Sequence, residues 1–171
     1  MAPAVIGFIA LWVTFNSFRL TPLLYIFLLL HCVILMVGGH YTYAEVPLFN
    51  ALMELMGSQR NNYDKIGHFA QGFIPALLAR EILLRKKVVV KGQWLNLFIV
   101  SICLGFSALY ELIEWWVALA TGENAQAFLG TQGYVWDTQS DMAFALLGAV
   151  CAILLLSKPH DMQLDKINHK H

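Results

Sequence analysis

The hydrophobic positions of the chain gather into five long runs instead of alternating with polar positions. The runs are residues 3–15, 23–37, 68–84, 94–119 and 141–156. A helix needs about 20 largely apolar residues, within a range of about 17–25, to cross a lipid bilayer. We therefore predict an all-α membrane protein, a bundle of about five transmembrane helices. The first run is short for a span, and the fourth is long enough to tilt or to project beyond the bilayer.

A shorter amphipathic segment, residues 47–57, separates the second run from the third. Its large apolar side chains share one helical face, and Pro47 and Gly57 stand where helices usually begin and end. These features predict a short interfacial helix lying on the membrane surface. The other long connection, residues 121–140, contains no Lys or Arg and is either a simple loop or a cover over a site.

The composition supports a lipid environment for most of the chain. Hydrophobic residues make up 58% and charged residues 13% of the 171 residues, whereas soluble domains average about 45–50% and about 25%. The formal net charge is zero, so no basic field indicates binding to nucleic acid. We expect a single transmembrane helical domain, residues 1–157, and a polar cytoplasmic tail, residues 158–171, on which His160, His169 and His171 are solvated.

The positions of the basic residues predict the orientation in the membrane, because cytoplasmic connections carry an excess of Lys and Arg. With five spans, eight of the 11 Lys and Arg residues fall on one side, and Arg60 and Lys65 fall on the other. Arg80 lies within the third run, where we expect it to extend toward the basic side next to Glu81. We therefore expect the amino terminus outside the cell and the carboxyl terminus in the cytoplasm.

Three groups of ionisable and polar residues lie in or next to the last three runs. They are Asp64, His68 and Gln71 in the third helix, Glu111 and Glu114 in the fourth, and Asp137 and Asp141 at the start of the fifth. His68, Glu111 and Asp141 each stand 17 residues from the basic end of their helix. At about 1.5 Å per residue, all three lie roughly 25 Å up a hydrocarbon core of about 30 Å. Three helices thus present these groups at one level, just inside the outer leaflet.

Carboxylates crowded together in a low dielectric need compensation by protons, by cations such as Lys65 and Arg60, or by a bound metal. Three interpretations remain open: a polar network that pins the helices together, a divalent metal site, and a proton or ion pathway. The metal ligands would be His68, Glu111, Glu114 and Asp141. The polar network or binding surface would comprise His40, Tyr43, Arg60, Asp64, Lys65, Gln71, Glu114, Asp137 and Gln139.

Three classes of function are compatible with such a cluster. An enzyme acting on a lipid or lipid-linked substrate would use Glu111 or Asp141 as general base, with His68 and a divalent metal ion polarising the substrate. An ion- or proton-coupled transporter would use the acidic groups as a relay. A structural or partner-binding membrane subunit would use them to hold helices together. The depth of the cluster, near the headgroups and not at the bilayer midplane, favours the enzyme.

Four stretches of sequence carry a family resemblance. They read GGHYTYAEVP at 38–47, RNNYDKIGHFAQG at 60–72, YELIEW at 110–115 and WDTQSD at 136–141. They closely resemble the YjdF-like inner-membrane proteins of bacteria, from about the second helix to the fifth. The resemblance implies a multi-span protein of the inner membrane and implies no particular activity.

A looser similarity connects the chain with the VanZ-like membrane proteins. Their pattern includes Asp-Lys-x-x-His, a later acidic residue in a helix and an Asp at the start of the last helix. Asp64, Lys65, His68, Glu111 and Asp141 match this pattern. The Asn expected four residues after that last Asp is replaced by Ala145, and the usual preceding Arg is missing. This similarity implies a shared polar site at the same depth.

Overall fold

The computed structural model describes residues 2–57, 60–121 and 132–168. Their six helices are α1 (Ala2–Thr14), α2 (Pro22–His40), α3 (Pro47–Leu55), α4 (Tyr63–Arg85), α5 (Gln93–Thr121) and α6 (Asp137–Asn168). Within these ranges there is no β-strand. The prediction of an all-α membrane protein is confirmed. Most of the connection at 121–140 lies outside the described residues, as do His169 and His171 in the expected tail.

Proline and glycine set several of the helix ends. Pro22 and Pro47 occupy the first turns of α2 and α3, where the missing N–H group would have had no partner within the helix. The turn after α3 ends at Gly57, whose φ of 63° lies in the left-handed region that suits glycine. A helix is therefore present in the segment predicted to lie on the membrane surface, and none of the residues of α3 is buried.

Three of the described helices, α2, α5 and α6, are long and apolar enough to cross a membrane. The helix α1 has 13 residues, which correspond to about 20 Å and fall short of a hydrocarbon core of about 30 Å. The helix α4 has 23 residues, or about 35 Å, but it carries charged side chains. These side chains are compatible with a membrane because α4 packs against α2, α5 and α6, which shield it.

The helices α4 and α6 pack with their backbones in direct contact. A Cβ atom added to Gly72 would lie 1.8 Å from the carbonyl oxygen of Ala145, and one added to Gly148 would lie 2.1 Å from that of Phe69. Small residues allow such close approach, which is a main source of stability between helices in lipid. This contact fixes the register of α4 against α6, and with it the relative positions of their polar side chains.

An apolar layer divides the bundle into two polar ends. Leu77, Ile99 and Cys103 are among its buried members, with Ala149 and Ala152 from α6. We call the end at the start of α4 and α6 the acidic end, and the end that carries Arg19, Arg85 and Lys86 the basic end.

The carboxyl-terminal segment is not a solvated tail throughout, because α6 continues to Asn168. His160 and Leu164 are buried, at 0% and 4% exposure. The prediction that His160 is solvated is therefore wrong. His160 is buried because α6 projects past the apolar layer and still packs against α4.

Candidate functional site

The first turns of α4 bring buried charged groups into the acidic end. Asp64, Lys65 and His68 are exposed by 9%, 9% and 5%. Asp64 and His68 are four residues apart, so they share one face of the helix. The Nε2 atom of His68 lies 3.3 Å from Oδ1 of Asp64, and this carboxylate accepts a hydrogen bond from the imidazole.

The two neighbouring helices approach the same imidazole from different sides. Oε1 of Glu111, from α5, lies 3.8 Å from Nδ1 of His68. Oδ2 of Asp141, from α6, lies 3.8 Å from Nε2 of the same ring. The structure thus brings His68, Glu111 and Asp141 together at one level, as their equal spacing from the basic end indicates.

Two cations partly balance the carboxylates. Nζ of Lys65 lies 3.0 Å from Oδ1 of Asp141 and 3.6 Å from Oδ1 of Asp137, and it also donates to Oγ of Ser140. Arg60 forms an ion pair with Asp137. These contacts connect the start of α4 to the start of α6.

The carboxyl groups outnumber these cations. Arg60 and Lys65 face a set of five carboxyl groups, namely Asp64, Glu111, Glu114, Asp137 and Asp141. Glu114 interacts electrostatically with Glu111 and His68. Because unbalanced charge is costly away from water, the cluster requires added protons or an added cation.

One contact in the cluster is incomplete. Nδ1 of His68 and Oε1 of Glu111 are both buried and have no hydrogen-bond partner among the described residues. If Nε2 carries the ring proton toward Asp64, a neutral imidazole turns the lone pair of Nδ1 toward a carboxylate oxygen 3.8 Å away. A proton or a cation between the two atoms would remove this repulsion.

The arrangement also fits a metal ion on the other side of the ring. Asp64, His68 and Asp141 each offer one ligand atom, and these atoms all lie within 4.8 Å of one another. With side-chain movements of a few tenths of an ångström, all three could bind one ion at the usual distances of about 2.0–2.2 Å from nitrogen and carboxylate ligands. This set differs from the predicted one, which includes Glu111 and Glu114 and not Asp64. Asp64 and Asp141 lie on the Nε2 side of the ring, whereas Glu111 lies on the Nδ1 side.

Other residues predicted for the network border the cluster or lie outside it. The Tyr43 hydroxyl donates to the carbonyl of Leu35 at 3.5 Å, and burial raises the pKa of Tyr43 above its ordinary value. Gln71 lies on α4 beyond His68 and is half-buried. His40 and Gln139 are exposed, outside the buried cluster.

The structure adds polar partners that the sequence did not single out. The Tyr110 ring packs edge-on against His68, with 6.1 Å between centroids. Asn61 is 1% exposed and donates to Val46 O at 3.0 Å and to Oδ1 of Asn50 at 2.7 Å. Asn61 therefore ties α3 to the start of α4. Tyr110 and Asn61 stand directly next to Glu111 and Arg60 in the quoted motifs, and this proximity is the signal that could have identified them.

A second polar cluster occupies the basic end and is more completely bonded. Glu81 is fully buried. Its carboxylate accepts hydrogen bonds from the backbone N–H and the hydroxyl of Thr21, from Arg85 at 2.7 Å and from Nε2 of His160 at 3.1 Å. These donors come from Thr21 at the start of α2, from Arg85 in α4 and from His160 in α6, so Glu81 joins the three helices.

The hydrogen bonds of Arg80 define the state of His160. Nη1 of Arg80 lies 3.3 Å from Nδ1 of His160, and Nη2 donates to Oδ1 of Asp161 at 2.7 Å. Arginine has no acceptor, so Nδ1 of His160 accepts and its Nε2–H donates to Glu81. Among the described residues Arg80 pairs with Asp161, and Arg85, one turn after Glu81, pairs with Glu81.

The fold and the cluster define a class: a polytopic helical membrane protein with an ionisable site buried at one end of its bundle. The family follows from comparison with known proteins. The chain belongs to the family described as "Predicted membrane protein (DUF2238)", whose pattern matches residues 1–162.

One relative supports the same assignment. The chain is 52% identical over 165 residues to "Inner membrane protein YjdF" of Escherichia coli (strain K12). The matched region covers 96% of this chain and 78% of that protein. No solved structure matches. The resemblance to the YjdF-like proteins is confirmed, whereas the looser similarity to VanZ-like proteins is not shown.

Proposed function

We propose that this protein is a metal-dependent enzyme that acts on a lipid or lipid-linked substrate at the outer leaflet. The observation that carries the proposal is the convergence of Asp64, His68 and Asp141, whose ligand atoms lie within 4.8 Å of one another in a buried site. Excess carboxylates around these atoms favour a cation there. Imidazole and carboxylate donors suit several divalent metals.

The geometry gives the carboxylates different roles. Asp141 is held in place by Lys65 at 3.0 Å, so it is suited to act as a ligand. Glu111 is not one of these three ligands and lies on the Nδ1 side of the ring, so it is suited to accept a proton from a water or substrate hydroxyl. A bound divalent ion would supply Lewis-acid activation of that water or of the substrate. Glu111 is thus the proposed general base.

The surroundings of the cluster support a substrate from the membrane. The helix α3 exposes Leu48 by 67% and Leu55 by 83%, and Met56, just after it, is exposed by 78%, as expected of a helix lying in the interface. Asn61 bonds α3 to the start of α4, beside the site. A headgroup held at this level would meet the cluster while its acyl chains stay in lipid.

The apolar layer supports an enzyme over a carrier. Ser107, one turn from Glu111, is the last polar side chain on the buried face of α5 before Cys103 and Ile99, both 0% exposed. Residues 72–79 of α4 carry no polar side chain, and their neighbour Gly148 is in backbone contact with α4. An ion relay would need polar groups or water through this layer.

The orientation belongs to the same proposal. The basic end carries Arg19, Arg85, Lys86, Lys87 and Lys91, which is typical of a cytoplasmic face. The amino terminus is then outside, the carboxyl terminus is in the cytoplasm, and the cluster faces the outer leaflet of the inner membrane.

The experiment uses the full chain purified in lipid nanodiscs without chelator. Elemental analysis should show close to one divalent metal ion per chain, reduced at least tenfold in His68→Gln and Asp141→Asn. Asp165→Asn, the same chemical change at an exposed position, should retain the metal. Negligible metal in the wild type, or equal metal in all variants, would overturn the metal site.

The catalytic claim needs its own readout. Glu111→Gln should keep the metal and abolish turnover of lipids from a total membrane extract, followed by mass spectrometry. Metal binding without lipid turnover in the wild type would refute the enzyme and leave the site a structural cation site.

A further inference from the structure

An apolar groove with a volume of about 510 Å³ lies between α1, α2 and α4, away from the candidate site. This volume falls within the range of about 300–1,000 Å³ found for small-molecule pockets. The groove opens toward the lipid-facing side of the bundle, since Ala10, Thr14 and Ile82 on its walls are exposed.

The polarity of the groove changes along its length. Lys86 and Ser17 line it at the basic end, whereas Leu28 and Leu78 line it deeper in the bundle. Lys86 follows the last residue of α4, and Leu78 lies two turns before it, about 12 Å along the helix. One leaflet contributes about 15 Å of hydrocarbon, half of the core. The groove therefore matches an amphipathic ligand with its polar group at the membrane surface.

The charged group at the mouth of the groove has no acidic partner among the described residues. Lys86 is exposed and forms no ion pair with any residue that the structure describes. Its ammonium lies 5.3 Å from the centroid of the Phe18 ring, another lining residue. The neighbouring Arg85, in contrast, is bonded to Glu81 and to the carbonyl of Arg19. Lys86 is thus available to an anion at the surface.

We infer that this groove binds one anionic glycerophospholipid from the leaflet at the basic end. Its phosphate lies at Lys86, and one acyl chain lies along α2 and α4 toward Cys32. A lipid needs no entry path, because the groove opens directly on the lipid that surrounds the bundle. A basic side chain near the surface selects anionic headgroups over zwitterionic ones.

The experiment compares two probe lipids with identical acyl chains. The full chain is placed in nanodiscs of equal parts phosphatidylglycerol and phosphatidylcholine, and retained lipid is counted by native mass spectrometry. The wild type should retain one phosphatidylglycerol. Lys86→Gln should lower its occupancy about fivefold, the contribution of one surface lysine. Lys87→Gln removes the same charge from a neighbouring residue outside the groove and should match the wild type.

A second variant tests the apolar part of the groove. Ala10→Trp places a large side chain in the groove and should displace the lipid while circular dichroism shows the wild-type helix content. Equal retention of the two lipids, equal loss in Lys86→Gln and Lys87→Gln, or no retained lipid in the wild type would overturn the inference. Because Lys86→Gln changes an exposed residue, it tests the site even if Ala10→Trp does not fold.

Discussion

At the scale of single residues, the acidic end and the basic end of the bundle use glutamate in different ways. Glu81 accepts hydrogen bonds from a hydroxyl, a backbone N–H, an arginine and an imidazole. Glu111 has an oxygen with no hydrogen-bond partner in the described part of the chain. A buried polar group with complete bonding stabilises a fold, whereas an incomplete one marks a place for a ligand or a proton. Glu81 is therefore structural, and Glu111 is the functional candidate.

Glu81→Gln should destabilise the protein strongly. The NH₂ group of the glutamine amide would face groups that are themselves hydrogen-bond donors, and the charge that balances Arg85 would be lost. Breaking a buried ion pair costs about 3–5 kcal/mol. Thermal unfolding in one detergent measures the effect. The matched change Glu54→Gln, at an exposed position of α3, should leave the midpoint within about a degree of the wild type. Equal midpoints for the two variants would refute the structural role.

Tyr43 gives a pH dependence outside the membrane-spanning helices. Burial raises its pKa in the folded state, so the folded protein keeps the phenolic proton at a pH where the unfolded chain, with a pKa of about 10, loses it. The contribution of Tyr43 to the free energy of unfolding is therefore fully present below pH 10 and decreases as the pH rises above it. Between pH 9 and pH 11, the free energy of unfolding of Tyr43→Phe should fall by about 1 kcal/mol less than that of the wild type.

Chemical denaturation at the two pH values checks this prediction. Tyr41→Phe is the control, because Tyr41 is 38% exposed and lies in the same connection. If Tyr43→Phe and the wild type lose stability in parallel, the hydroxyl is not protected by the fold.

At the scale of helices, the contact between α4 and α6 holds the site in register. Gly72 and Gly148 leave no room for a Cβ atom, since the obstructing atoms are backbone carbonyls of the partner helix. A side chain at either position would push the helices apart. Lys65 and Asp141, which are 3.0 Å apart, would then separate.

Gly72→Ala and Gly148→Ala should therefore lower the folded fraction, whereas Gly105→Ala should not. A Cβ atom at Gly105 meets nothing within 4 Å, and alanine favours a helix over glycine by about 1 kcal/mol. Size-exclusion chromatography and thermal unfolding distinguish the variants. Wild-type behaviour of Gly72→Ala would show that α4 and α6 are not in backbone contact.

The sequence predicted the helices well because lipid imposes a minimum apolar length on each span. The segments around α2, α5 and α6 satisfy that length, and residue spacing along α4, α5 and α6 was enough to align His68, Glu111 and Asp141. Spacing could not show which imidazole nitrogen each carboxylate meets. It also could not show that α6 continues past the apolar layer, which is why the burial of His160 was missed.

At the scale of the whole molecule, the apolar layer separates a site with unbalanced charge from a bonded cluster near many lysines and arginines. Reporter fusions test the proposed orientation. A carboxyl-terminal fluorescent protein should be active, since it folds in the cytoplasm, and alkaline phosphatase at the same position should be inactive. The reverse pattern would place the candidate site at the inner leaflet and contradict the proposed outer-leaflet substrate.

The central claim is that Asp64, His68 and Asp141 hold one divalent cation, and Mn²⁺ is a direct probe of it. Electron spin echo envelope modulation of the protein loaded with one equivalent of Mn²⁺ detects directly bound nitrogen. The account predicts coupling to a single ¹⁴N nucleus that disappears in His68→Gln and persists in His160→Gln. Bound Mn²⁺ without nitrogen coupling, or coupling that survives in His68→Gln, would contradict it.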